Sequence, residues 1–223
     1  LKDRIQSQIL THYPKSIETS LEITEQEAAV SDAQKQKINI SDLIKRLIEQ
    51  VAFEARGSEL VDKKSGVSAR LTISAYENAV SAAERRAIIN NEKETQVWLS
   101  DLIGIIPSIT GKIELVYEGE QEGPYQVAFN LLEKSIRTQF GLYFPNPDTL
   151  KKKKSKETPP EENPYKVITR WFDAGNTLNN FFETKDEDKV QLLYKVDGLH
   201  ALVKKYHKAA NDKENALLME FIL

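Results

Sequence analysis

The strongest constraint on this chain is an apolar stripe between Asp42 and Ala55. Leu43, Ile44, Leu47, Ile48, Val51, Ala52 and Ala55 recur at one- and four-residue steps. That spacing predicts a helix with one buried face, and Ser41 stands where an N-cap hydroxyl is wanted. A helix so patterned must lie against other apolar faces. The chain offers two more. From about Thr72 to Ile89, Tyr76, Ala79, Val80, Ala83 and Ala87 share a face, with Glu84, Arg85 and Arg86 expected on the polar side. From Tyr125 to Thr138 the stripe runs through Val127, Ala128, Leu131, Leu132 and Ile136. Only nine glycines and eight prolines occur in 223 residues. The expected fold is therefore mainly α, with little or no sheet.

Weaker signals fill the gaps. Thr24-Glu25-Gln26-Glu27 has the form of a capping box and predicts a short helix through about Lys35. Residues 97–106 (VWLSDLIGII) are apolar, end at Pro107 and suit either a helix or a buried strand. Lys112 to Glu118 alternates like a strand, with no obvious partner. Pro145-Asn146-Pro147, the Lys151–Lys154 run and Pro159-Pro160-Glu161-Glu162-Asn163-Pro164 read as a linker over 145–164. Beyond it, 165–223 reads as a small helical unit, with Val167, Ile168, Trp171 and Phe172 in one cluster and Leu192, Leu193, Val196, Leu199, Leu202 and Val203 in others.

Several chemistries are excluded. The chain has no cysteine, so it has no disulfide, thiolate metal site or cysteine nucleophile. A net charge of −3 gives no global pull toward nucleic acid or an anionic membrane. No apolar run nears the roughly 18 residues of a membrane span, and LKDRIQSQIL does not read as a signal peptide. A cytoplasmic, membrane-free protein is expected. The chain starts on Leu1 and stops on Phe221-Ile222-Leu223 within an apolar pattern, which reads as a piece of a longer protein. Ser65-Gly66 and Thr110-Gly111-Lys112 lack the spacing of a phosphate-binding loop. His200 and His207 are two helical turns apart, roughly 10 Å, too far to share a zinc ion; surface or cap roles are expected. Lys151–Lys154 is followed by Glu157, Glu161 and Glu162, so a solvated linker fits it better than a nucleic-acid site. Trp171 and Phe172 are spaced as core.

Two arginines stand apart. Arg4 lies in Leu1-Lys2-Asp3-Arg4-Ile5, ahead of His12-Tyr13-Pro14. Arg70 lies in Gly66-Val67-Ser68-Ala69-Arg70, where a long helix begins. A helix start favours anions, and a guanidinium there supplies a fork of donors for phosphate. The alternative is an ion pair with a neighbour such as Asp3 or Glu77.

At these residues the sequence resembles a known family. Leu-Lys-Asp-Arg-Ile followed by His-Tyr-Pro is similar to the Leu-Asp-Arg-Phe and Tyr-Pro stretch of MoxR-type AAA+ ATPases. Gly66-Val67-Ser68-Ala69-Arg70 is similar to their Gly-Ala-Ser-Pro-Arg sensor 2 segment, with Ala69 in place of proline. Magnesium-chelatase ATPase subunits share the layout. The resemblance covers roughly residues 1–90, and 91–223 resembles the C-terminal extension of a bacterial branch of the group. It implies that 1–38 is the tail of the α/β subdomain and its connector, 39–95 the helical lid, and 96–144 a helical extension before the linker. It implies Arg4 as an arginine finger acting on a neighbouring subunit and Arg70 as sensor 2 on the nucleotide phosphate. ATP and Mg would serve the full-length protein, with no cofactor expected in this piece alone. The partners implied are further copies of itself in a ring and an unidentified substrate or cofactor protein. The activity implied is ATP-driven remodelling of that partner, or metal insertion. The alternative is a non-enzymatic helical protein-interaction module with both arginines structural.

Overall fold

The computed structural model describes residues 7, 9, 11–147, 163–179, 181–208 and 211–223, and the fold is mainly α. Helix α1 (Ile17–Glu27) opens on Ser16, whose hydroxyl accepts the Thr19 N–H at 3.3 Å. It runs straight through the expected capping box at Thr24. The Thr24 hydroxyl is instead buried and committed to the Glu49 carboxylate at 2.6 Å. The capping box forms at Ser31 and Gln34 and starts α2 (Asp32–Lys37).

Helix α3 (Asp42–Gly57) is capped by Ser41, and its predicted stripe is buried throughout. Burying a leucine, isoleucine or valine contributes about 1.5–3 kcal/mol each, so this face anchors the body. It packs on α1, on α4 (Arg70–Ile89) and on α7 (Pro124–Tyr143). Strands β1 (Ile38–Asn39) and β2 (Thr95–Gln96) form a two-residue parallel pair, which ties together the two ends of the 39–95 segment.

The apolar stretch 97–106 becomes a 3-10 helix, Leu99–Ile105, followed by α5 (Ile106–Thr110). Pro107 does not end this element. It lies in the first turn of α5, where a missing N–H costs nothing. The strand expected at Lys112–Glu118 does not form. Leu115 makes a single bridge to Val61, Ile113 is buried, and Tyr117 already begins α6 (Tyr117–Glu122).

The C-terminal segment consists of α8 (Lys166–Asp173), α9 (Asp186–Tyr194), α10 (Leu199–Tyr206) and α11 (Asp212–Ile222). The core does not divide at 145–164. Buried residues of α8 to α11 belong to the same apolar cluster as those of α3, α4 and α7. Phe221 of α11 stacks near Phe140 and Tyr143 of α7 at 5.5 and 5.6 Å, and Tyr165 donates to the Pro145 carbonyl at 2.6 Å. Gly198 turns the chain into α10 with φ of 79°, and a Cβ there would meet Val167 at 2.9 Å. Ile168 is core, Trp171 packs half-buried against it, and Phe172 and Val167 face outward. Among the described residues, no helix is long and apolar enough to cross a membrane.

Candidate functional site

The loop before α4 is set by Tyr13. Gly66 adopts φ of 73°, and a Cβ there would fall 2.2 Å from the Tyr13 hydroxyl oxygen. That oxygen accepts the Val67 N–H at 2.9 Å. Ser68 then accepts the Arg70 N–H through its hydroxyl at 3.2 Å, although Ala69 is the formal cap. Leu71, Thr72, Ala75 and Ala79 turn inward, which leaves Arg70 exposed on the first turn. Among the described residues Arg70 has no ion pair. Glu77, the neighbour that could have neutralised it, accepts the Ala29 N–H at 2.8 Å instead. Arg4, Asp3 and the Lys151–Lys154 run lie outside the described residues.

Beneath this corner lies a buried carboxylate. Glu49 is fully buried on α3 and takes hydroxyl bonds from Ser20 at 2.5 Å and Thr24 at 2.6 Å; Thr24 also bonds Thr72 of α4 at 2.8 Å. Burial holds the Glu49 pKa above its ordinary value, against the pull of those hydroxyls and of Arg56. Arg56, in the last turn of α3, lies over the Tyr13 ring at 4.5 Å and the Phe53 ring at 5.3 Å. Its three guanidinium nitrogens are buried and have no hydrogen-bond acceptor among the described residues. Burial pushes Arg56 below its usual value, opposed by Tyr13 and Glu49. The corner thus carries two arginines, one exposed and one beneath a tyrosine, and neither is held by a hydrogen-bonded carboxylate among the described residues.

A second polar cluster lies at the other end of α4. Arg86, expected on the polar side, is only 4% exposed. Its Nε and one terminal nitrogen reach the two oxygens of Asp101, each at 3.1 Å, and the other terminal nitrogen reaches Asp186 at 2.8 Å. Thr95 and the Gln96 carbonyl take further bonds at 3.0 and 2.9 Å. Burial opposes the charge, but Asp101 and Asp186 outweigh it and hold Arg86 above its usual pKa. Asp186 also accepts the Trp98 indole N–H at 2.8 Å. Lys189 is buried alongside, under the Trp98 and Phe181 rings, with its ammonium 2.6 Å from the Ser100 hydroxyl and 3.5 Å from Glu220. Glu220 in turn accepts the Leu99 and Ser100 N–H groups at the start of the 3-10 helix.

This junction joins α4, the 3-10 helix, α9 and α11 through charge, and the sequence reading missed it. A signal was present: Arg86 falls three residues after Ala83 and seven after Ala79, on the buried face.

The histidines are scattered. His12 is exposed, His200 lies beside the Tyr194 ring at 4.6 Å, and His207 donates to the Tyr143 carbonyl at 2.7 Å. Among the described residues no three His, Asp or Glu side chains are grouped to hold a metal ion. Compared with family models, curated proteins and solved structures, the chain finds no match.

Proposed function

We propose that this chain supplies the helical lid and C-terminal extension of an AAA+ ATPase of the MoxR and magnesium-chelatase type. The whole protein would form a ring that uses ATP to remodel a partner protein or to assist metal insertion. One observation carries the reading: Arg70 stands exposed on the first turn of a 20-residue helix with no acidic partner among the described residues. A cation there is opposed by the helix dipole, by a few tenths of a kcal/mol up to about 1 kcal/mol. An uncompensated local cost of this kind is what a binding role explains. The family resemblance at Gly66–Arg70 makes the ligand a nucleotide phosphate, with Arg70 as sensor 2. Arg4 would act as arginine finger on the neighbouring subunit's nucleotide, a role worth roughly a thousand- to a hundred-thousand-fold in rate.

The test uses the whole reading frame, which on this proposal encodes a phosphate-binding loop upstream. Arg70→Ala should lower its ATP turnover or its nucleotide-dependent lid closure. In the chain described here the same change should shift stability by no more than about 0.5 kcal/mol. Unchanged turnover, or a large loss of fragment stability, would return Arg70 to a structural role. The second reading, a non-enzymatic interaction module, draws on the large apolar side chains left exposed, Ile88, Tyr117 and Leu142 among them.

A further inference from the structure

Between the 3-10 helix, α7 and the side chains of Leu178, Phe181 and Phe182 opens a cavity of about 390 Å³, within the range of small-molecule sites. Its walls are apolar, with Ile103, Phe129, Leu132 and Phe181 prominent. Polar groups are few. Glu133 at the rim is engaged by Arg137. Glu220 has both oxygens occupied, by the Leu99 and Ser100 N–H groups at 2.9 and 3.1 Å.

Ser100 is different. Its hydroxyl oxygen accepts from the Lys189 ammonium at 2.6 Å and has no acceptor among the described residues for its own O–H. An ammonium on the oxygen makes that hydroxyl a stronger donor. The cavity therefore offers one polarised donor in an apolar surround. The wall charges are paired, Glu220 with Lys189 at 3.5 Å and Glu133 with Arg137. An ionic ligand would lose its hydration without gaining a free counter-charge. A neutral molecule with one acceptor avoids that cost.

We infer that this cavity binds a compact, neutral, largely aromatic or hydrocarbon molecule bearing a single carbonyl, whose oxygen accepts from Ser100. The site shares no lining residue with the Arg70 corner, and the inference does not depend on the ATPase reading.

The test is a fluorescence titration of the chain with two neutral probes: the aryl ketone prodan, and dimethylaminonaphthalene, which lacks its propionyl group. Prodan should bind saturably at one site with blue-shifted emission, and more tightly than the carbonyl-free probe. Ile103→Trp, at a rim position 45% exposed, should fill the mouth and weaken both probes by roughly tenfold or more. Ser100→Ala should weaken prodan by about threefold to tenfold and leave dimethylaminonaphthalene unchanged. Because Ser100→Ala also strips Lys189 of an acceptor, its fold is checked by circular dichroism, and the wild-type ratio of the two probes is a second readout. Non-saturable prodan binding, equal affinity for the two probes, indifference to Ile103→Trp, or a Ser100→Ala effect shared by both probes would each overturn the inference.

Discussion

Replacing Arg86 with methionine keeps most of the side-chain volume and removes the guanidinium. Five hydrogen bonds go with it: two to Asp101, one each to Asp186 and Thr95, and one to the Gln96 carbonyl. Asp101 keeps the Trp98 N–H at 2.9 Å, and Lys213 stays 3.7 Å from Asp186, but the main cation is gone from two buried carboxylates. Breaking a buried ion pair in this way costs about 3–5 kcal/mol, mostly from the charges left behind. In a protein of this size each kcal/mol lowers Tm by roughly 2–4 °C, so a fall of about 6–20 °C is expected. Arg85→Met is the control. Arg85 is exposed, its ion-pair partner among the described residues, Glu183, lies 3.8 Å away, and its loss should stay within about 0.5 kcal/mol. Urea and thermal unfolding followed by circular dichroism measure both. Adding Asp101→Asn and Asp186→Asn to Arg86→Met should recover part of the loss, because the orphaned charges are then removed. An Arg86→Met cost below about 1 kcal/mol would refute the view that this junction is an obligate, charge-compensated unit.

Two further expectations concern the corner at α4. Glu49 has a raised pKa in the fold, so its contribution to stability is full below the ordinary carboxylate value of 4.5 and is lost as pH rises through the folded value. Glu49→Gln should therefore flatten the fall in unfolding free energy as pH rises above the ordinary carboxylate value; an unchanged slope in urea titrations would count against it. Gly66→Ala should cost at least about 1–2 kcal/mol for the left-handed backbone, and more from the Tyr13 hydroxyl that its Cβ would strike. Tyr13→Phe removes that hydroxyl together with a bond worth about 0.5–1.5 kcal/mol, so the double mutant should cost less than the sum by at least about 0.5 kcal/mol. Strict additivity in a double-mutant cycle would sink the proposed contact.

Helix α3 was legible because its seven stripe residues follow one period and one cap, and local rules suffice when burial and propensity agree. The box at Thr24 misled because a hydroxyl suits a cap and a buried carboxylate equally well, and Glu49, 25 residues away in sequence, claimed it. Lys112–Glu118 alternates like a strand, yet alternation supplies no pairing partner, and Val61 meets it at one bridge only. Arg70 could be singled out because it departs from a local rule. Arg86 shares the buried alanine face yet was placed on the polar side, and Lys189 drew no reading, since charge in a sequence reads as surface until the matching acids are placed, and Asp186 lies 100 residues from Arg86. The charge-rich stretch before Tyr165 suggested a separate unit, whereas the aromatic contacts of Phe221 are set by packing that no local pattern encodes.

Helix α4 links these parts mechanically. Arg70 and Arg86 are 16 residues apart on it, about 24 Å at the helical rise. One end carries the exposed arginine over the Glu49 hydroxyl cluster; the other is clamped by Asp101 and Asp186 to the 3-10 helix and α9. The helix between them has its inner face buried at Leu71, Ala75, Ala79 and Ala83, which leaves little room for bending. On the proposed reading, a phosphate drawing on Arg70 would move α4 as a rod and carry α9 and α11 with it. An ionic junction suits that task better than an apolar one, because its geometry is fixed by direction as well as by contact: Arg86 must meet both carboxylates at once, and α9 cannot slide along α4 without breaking the fork. On that proposal the C-terminal segment would be an integral load on α4, and a nucleotide-driven movement at one end would displace the apolar cavity and its surroundings at the other.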